Sequence, residues 1–261
     1  MARWTVFPYD AADYTFDAAA LKTQWARLHA GDAEPLPTDT GVLAAWALFH
    51  AGDFQQAAEA GLKAGGQGAS AGVTVANKAQ AIYANYLEKS EKTRLDLFME
   101  VAERAEAQIA TDPKNANAHY FMAYALGRYG QGISIAKALA QGLGSKVKSA
   151  LETATRLAPK HADAHIALGA FHAEVIDKVG SLLGRTQGAS KDAGLLHYKT
   201  ALKLNPGSAI AMVEYANGMV MLEGDKRMKE ATRLYEDAAA CEPMDAMERL
   251  DVEMAKAELE D

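Results

Sequence analysis

The chain has 261 residues, a formal net charge of −7 and a single cysteine, Cys241. The acidic balance argues against nucleic acid as a partner, because binding to phosphates requires a basic surface. One cysteine excludes an internal disulfide and any metal cluster built from paired cysteines.

The residue pattern is that of an all-α protein. Alanine is abundant, the prolines are mostly regular in position, and β-branched residues rarely cluster as they do in strands. No basic leader followed by an apolar run opens the sequence, and no apolar stretch reaches the roughly 18 residues that span a membrane. We therefore expect a cytoplasmic protein without membrane insertion.

The first 38 residues are interpreted as an N-terminal cap segment. A helix is predicted from about Phe16 to Ala30, and Pro35 and Pro37 then break the chain. The helix carries an apolar stripe at helical spacing, formed by Ala20, Leu21, Trp25 and Leu28. Residues 1–38 would then cover the open end of the structure that follows.

Residues 39–243 contain a recurring unit in which a large residue stands eight places before a proline and an alanine five places before it. The copies are Leu151, Ala154 and Pro159; Tyr198, Ala201 and Pro206; and Tyr235, Ala238 and Pro243. Large residues followed by small ones recur nine places after a proline, at Met122, Leu168 and Tyr215. Small residues let two helix backbones approach and proline ends a helix, so the unit predicts helix pairs that cross closely.

This pattern resembles the tetratricopeptide repeat (TPR), whose marks are a leucine-glycine pair, later small and aromatic residues, and a closing proline. The best copies are Leu157–His172 and Val42–Ala64, with a turn at residues 52–54 and a close contact at Ala57. The resemblance implies a TPR-like α-solenoid of antiparallel helix pairs. Because the prolines are farther apart than the family's period of about 34 residues, we expect inserts. These are assigned to residues 64–72, 128–146 and 179–192.

An acidic capping helix is predicted over residues 244–261. Residues 242–261 contain eight acidic and two basic side chains. Asp245 and Glu248 have the spacing of a capping box. An inward apolar stripe is expected from Met247, Leu250, Met254 and Ala257. The acids would then lie in water on a closing helix, and an acidic recruitment tail is the alternative.

Two motif matches are interpreted as loops and not as catalytic sites. Gly68–Gly72 fits the G-x-S-x-G pattern of a hydrolase, but that geometry needs a preceding strand, and Ser70 is better explained as a helix N-cap. Gly184–Lys191 resembles a phosphate loop but also lacks a preceding strand. We therefore expect no enzymatic activity and no cofactor.

Three histidines, His161, His165 and His172, project from one side if a single helix includes them all. Such a stripe could hold zinc. His165 stands where a repeat packs on its neighbour, and His161 belongs to the turn, so packing is the favoured interpretation. We predict that the chain binds no stoichiometric zinc.

Three copies of Q-G-[AI]-S precede helical stretches. They contain Gln67 and Ser70, Gln131 and Ser134, and Gln187 and Ser190. Each serine is placed to cap the helix that follows it. Glycine beside a helix N-terminus also exposes amides that could receive an anion, so anion or ligand binding by these loops is the alternative interpretation.

The TPR resemblance also implies a partner-binding face, because in that family the first helix of each pair lines a concave groove. The corresponding residues are Trp46, Phe49, Asn117, Tyr120, Tyr124, Arg128, Asp163, Glu174 and Asn217. Aromatic residues with arginine and asparagine are typical of protein recognition. Trp46 and Phe49 have an alternative explanation as core residues. The positions of the family's carboxylate clamp hold Tyr120, Tyr124, Asp163 and Ile166, so binding of chaperone tails is not expected.

A second resemblance covers roughly residues 115–242. Helix pairs with glycine-rich inserts, as in residues 181–206, are similar to the T-component proteins associated with TRAP transporters and to the related microtubule-dynamics regulators. The first prediction is a non-catalytic scaffold that binds a protein or peptide. The alternative is a carrier of a small apolar or anionic ligand enclosed by the inserts.

Overall fold

The computed structural model describes residues 3–66 and 68–260. Over these ranges it contains α-helices and two short 3-10 helices, at Ala12–Tyr14 and Asp225–Arg227, and no strand. The α-helices are α1 (Ala18–Leu28), α2 (Thr40–His50), α3 (Phe54–Gly66), α4 (Ser70–Tyr86), α5 (Glu91–Thr111), α6 (Ala116–Gly132), α7 (Ile135–Ala140), α8 (Leu143–Leu157), α9 (Ala162–Thr186), α10 (Lys191–Leu204), α11 (Ala209–Glu223), α12 (Met228–Ala239) and α13 (Ala246–Glu260). The predicted all-α fold class is confirmed.

The described residues divide into two compact units. The first consists of the residues up to His29, Glu34–Gly132 and Met244–Met247. The second consists of Ala30–Ala33, Ile133–Pro243 and the residues from Glu248 onward. Unit 1 thus contains α1 to α6, and unit 2 contains α7 to α12 with most of α13.

Unit 1 is a stack of consecutive helices. Each helix from α2 to α5 packs on the next, and α4 also contacts both α2 and α6. Gly61 and Gly72 make the crossing of α3 and α4 very close, because a Cβ atom on Gly61 would lie 2.6 Å from the Gly72 carbonyl oxygen. Packing of each helix on its successor and on the next but one is the arrangement expected of stacked helix pairs.

Unit 2 repeats this arrangement through α8 to α12. Tyr198 of α10 lies between the backbones of Gly169 in α9 and Gly218 in α11, where no side chain would fit. The repeat alanines Ala154, Ala201 and Ala238 are completely buried. The close helix crossings predicted from the proline-anchored unit are therefore present.

The N-terminal segment contains the predicted helix as α1. Asp17 caps it by accepting hydrogen bonds from the backbone N–H groups of Ala19 and Ala20, at 2.9 and 2.8 Å. Of the predicted stripe, three residues are buried and Ala20 is exposed; the buried ones are Leu21, Trp25 and Leu28. The extended chain before α1 stacks Trp4 on Tyr83 of α4, with ring centroids 4.3 Å apart.

The segments assigned as inserts are largely helical. Residues 128–146 contain the end of α6, all of α7 and the start of α8, and residues 179–192 contain the end of α9. α9 is broken at Gly180, where φ is 78°. In residues 64–72, only the link between Gly66 and Ser70 is not helical among the described residues.

The C-terminal helix α13 keeps part of its predicted inward stripe, since Leu250 is buried and Met254 packs against a core cluster. Val252 and Ala255 pack with Val213 of α11 and Ala238 of α12. The expectation that the acids lie in water is wrong for Asp245 and Asp251, which are 1% and 4% exposed. The predicted stripe residue Ala257 is instead exposed.

Candidate functional site

Trp46 and Phe49 belong to the core of unit 1. Both side chains are 0% exposed, and their rings meet edge to face with centroids 5.3 Å apart. Of the two interpretations that the sequence leaves open, the structure supports the core. A partner at the surface of this unit would not touch either ring.

A buried chain of polar side chains lies beside these rings. Asp245 Oδ2 is 2.7 Å from His50 Nδ1, and His50 Nε2 is 3.4 Å from His29 Nε2. With Asp245 ionised, His50 donates through Nδ1 and accepts through Nε2. Trp25 stacks on His29, with centroids 4.0 Å apart. The sequence analysis missed these hydrogen-bonded side chains, because a single histidine on an apolar helix forms no recognisable spacing pattern in the sequence.

Asn117, predicted to bind a partner, is engaged by the protein itself. Its Nδ2 donates to Glu34 Oε2 at 2.6 Å, and both residues are buried. Lys78 of α4 is also buried, and its Nζ lies 5.2 Å from the centroid of the Phe49 ring and 5.6 Å from that of Trp46. These side chains of α2, α4 and α6 are therefore buried in the protein interior and do not line an open groove.

The α6 row, consisting of Tyr120, Tyr124 and Arg128, is the predicted set whose members lie together. The rings of Tyr120 and Tyr124 have centroids 5.9 Å apart, and the Arg128 guanidinium lies 5.4 Å from the Tyr124 centroid. Phe98 of α5 meets Tyr124 edge to face. Tyr120 is buried, whereas Tyr124 and Arg128 are half-buried. The row therefore offers an accessible aromatic edge and a cation held over a ring.

The three remaining predicted residues belong to unit 2. The Asp163 carboxylate packs on Gly31, and the Asp163 backbone N–H donates to the Gly31 carbonyl at 2.9 Å. Asn217 Oδ1 accepts a 2.5 Å hydrogen bond from the Tyr235 hydroxyl, which links α11 to α12. Glu174 is half-buried on α9. Asp163 and Asn217 thus have structural contacts within their own unit.

The serine loops differ from one another. Ser134 and Ser190 cap α7 and α10, as predicted. Ser70 forms no capping bond, so its predicted capping role is wrong, and its Oγ instead accepts from Gln108 Nε2 at 3.2 Å. Gln131 bonds with Arg128, whereas Gln187 ends α9. Gln67 lies outside the described residues.

The histidines of unit 2 form a cluster that includes His197, which the sequence analysis missed. His165 Nδ1 and His197 Nδ1 are 2.9 Å apart, and His172 stacks on His197. Burial and the neighbouring imidazole lower the pKa of His172, and likewise of His197, to about 4. His161 caps α9, with Nδ1 accepting from the Ala164 N–H. Over the described residues, no group of three or more His, Cys, Asp or Glu side chains has a metal-holding arrangement.

A cavity of about 410 Å³ lies in unit 1, between the N-terminal segment and the turn from α2 to α3. Its walls include Trp4, Phe7, Asp53 and Gln55. The carrier alternative expects a cavity covered by the glycine-rich inserts, and no insert residue lines this one. Among the described helices, none is long and apolar enough to span a membrane.

A known protein family matches most of the chain. The model of the family described as regulator of microtubule dynamics protein 1-3 matches residues 71–261. The chain belongs to this family. The α6 row and both larger inserts lie inside the matched segment, whereas Trp46 and Phe49 precede it.

The fold of this family member also has a counterpart among solved structures. The crystal structure of a thermophilic TPR protein in Thermus thermophilus superposes with a TM-score of 0.58 and 18% sequence identity, covering 83% of this chain and 97% of that one. The predicted TPR-like α-solenoid is therefore confirmed at the level of fold. No curated protein matches the chain in sequence.

Proposed function

We propose that this chain is a non-catalytic scaffold that binds a protein partner through a surface containing the α6 row. The observation that carries the proposal is the half-buried Arg128 guanidinium held over the Tyr124 ring, 5.4 Å from its centroid. Tyrosine and arginine dominate binding hot spots because they combine apolar area with fixed hydrogen-bonding groups. Stacked helix pairs provide the rigid support that such a surface needs.

The burial of the ionisable groups supports a non-catalytic role. The His50–Asp245 pair has the donor geometry of an acid–base dyad, but the two side chains are 0% and 2% exposed. A general base must reach a substrate proton directly or through one water molecule. At this buried position the pair would stabilise the fold and would not act on a substrate.

Family membership suggests the first partner to test. The family is described by its regulation of microtubule dynamics, so we propose that this chain binds microtubules. The corresponding experiment is co-sedimentation of the purified chain with stabilised microtubules. We expect the wild-type chain to pellet with the polymer. If the chain stays in the supernatant, the microtubule partner is wrong.

A double variant tests the surface itself. Tyr124→Ala with Arg128→Ala should weaken partner binding at least about tenfold, since hot-spot truncations typically cost about 2 kcal/mol or more. The control is Lys92→Ala, on the exposed side of α5 in the same unit. Circular dichroism melting checks that the double variant stays folded. Full binding by a folded double variant would remove the α6 row from the proposal.

A further inference from the structure

An extended segment packs across helices α3 and α4 of unit 1. We call residues 3–9 the strap, and none of them belongs to a helix. Trp4 and Phe7 are half-buried, whereas Thr5 and Val6 between them are exposed. Inward side chains three positions apart are the spacing of a polyproline II conformation, which has three residues per turn. The strap therefore presents one ringed side to the helices.

Both inward rings of the strap contact aromatic side chains of the helices. The Trp4 ring stacks on Tyr83 of α4, with centroids 4.3 Å apart and an angle of 10° between the planes. The Phe7 ring meets Phe54 of α3 edge to face, with centroids 6.4 Å apart. Phe7 also packs over Gly52, where an added Cβ atom would lie 2.7 Å from the ring. The strap thus occupies two aromatic contact sites.

The helices also accept hydrogen bonds from the backbone of the strap. Gln55 Oε1 accepts from the Trp4 N–H at 2.9 Å, and the Tyr83 hydroxyl oxygen accepts from the Thr5 N–H at 3.4 Å. The same hydroxyl donates to Glu88 Oε2 at 2.8 Å, so its oxygen is the atom that accepts from the strap. Backbone N–H groups are common to all non-proline residues. These bonds therefore recognise an extended backbone, and the rings supply the sequence preference.

The strap does not fill the space between itself and the helices. The cavity of about 410 Å³ has Trp4 and Phe7 in its wall on one side and Asp53 and Gln55 on the other. Dispersion attraction needs close contact, so a segment beside such a space gains less from packing than a core segment does. Segments with few packed contacts open at low free energy. The strap can therefore leave its site without unfolding unit 1.

We propose that the strap groove, formed by Gly52, Phe54, Gln55 and Tyr83, is a second protein-binding surface that takes an extended partner segment with two aromatic side chains three positions apart. The strap occupies this groove in the resting protein and competes with the partner. The chemistry of the partner follows from the segment that the structure shows in place. The proposal goes beyond the α6 row, which contains none of these residues.

The test uses a fluorescein-labelled synthetic peptide with the sequence of residues 3–9, titrated into the full chain and followed by fluorescence anisotropy. The tethered strap competes at an effective concentration in the millimolar range, so the wild type should bind the peptide weakly. Trp4→Ala with Phe7→Ala removes both rings of the strap and should tighten peptide binding at least about tenfold. Val6→Ala is the matched control and should behave like the wild type, because the Val6 side chain is 68% exposed.

Two further measurements test the individual contacts. A peptide that carries Trp4→Ala and Phe7→Ala should not bind the double variant. Gln55→Ala, added to the double variant, should weaken peptide binding about twofold to tenfold, since it removes the acceptor of one backbone N–H. Circular dichroism melting checks that the variants stay folded. If the double variant melts early, Trp4→Ala alone supplies the same comparison, because Trp4 is only half-buried.

Four results would overturn the proposal. The first is no peptide binding by the folded double variant, and the second is equal affinity of the double variant and the wild type. The third is equal binding of the two peptides. The fourth is a wild-type dimer in light scattering that the double variant converts to a monomer, which would make the occupant the strap of a second copy. The Tyr124→Ala, Arg128→Ala variant should bind the peptide like the wild type, so failure of the α6 surface and failure of the strap groove give different results.

Discussion

The histidine cluster of unit 2 shows how position changes the chemistry of a residue. Burial lowers the pKa of His172 and of His197 to about 4, and the neighbouring imidazoles and Lys148 act in the same direction, whereas Glu152 opposes them. Burial also lowers the pKa of His165. The neutral imidazoles can then share the 2.9 Å contact between His165 and His197, one donating and the other accepting.

This cluster predicts acid sensitivity. Unfolded histidine titrates near pH 6.5, so between about pH 6.5 and pH 4 the unfolded chain binds more protons than the folded one. The free energy of unfolding should therefore fall as the pH drops through this window and should receive no further gain from these groups above it. Urea unfolding at several pH values measures the slope, and NMR titration of the imidazole protons assigns it. Ordinary titration of His172 and His197 in the folded protein would contradict the prediction.

At the scale of elements, small residues set the distances between helices. Ala201 is completely buried in the cluster that contains Tyr198 and Tyr215, where α9, α10 and α11 meet. The sequence pattern predicted this crossing correctly, because an alanine at a fixed distance from a proline is visible without any structure. It predicted the helix that follows Ser134 but not the helical turns that follow the break at Gly180, since glycines weaken the local helix signal.

Ala201→Leu should therefore destabilise unit 2 by about 1–3 kcal/mol through overpacking. The control is Ala257→Leu, at an exposed position of α13, which should leave stability almost unchanged. Chemical unfolding monitored by circular dichroism compares the two variants. Equal unfolding midpoints would refute the assigned register of the helix pairs.

At the scale of the whole molecule, a buried pair joins distant parts of the sequence. His50 and Asp245 are separated by 195 positions, and both belong to unit 1. The pair attaches the segment before α13 to α2. A buried carboxylate that accepts from a neutral imidazole N–H adds little net stability, but removing the carboxylate leaves the buried His50 Nδ1–H without that acceptor.

Asp245→Ala should therefore lower the free energy of unfolding by about 1–3 kcal/mol, because the buried Nδ1–H of His50 loses its acceptor. Glu242→Ala removes a nearby exposed acid of the same C-terminal region and should change stability little. A double-mutant cycle with His50→Ala measures the coupling between the two side chains. Additive effects in that cycle would show that the pair does not act as a unit.

The sequence by itself determined the helical class, the repeat register and the serine caps of α7 and α10, because these depend on local spacing and on single residues such as Ser134, Ser190 and Ala201. Tertiary structure alone decided which polar residues are sealed and which remain accessible. Asn117 and Tyr124 stand on the same helix and both fit a recognition face, yet Asn117 is held by Glu34 from far along the chain, and Tyr124 keeps part of its ring exposed. Burial of a side chain depends on which other segments pack over it, and the helical periodicity of a sequence contains no information about that packing.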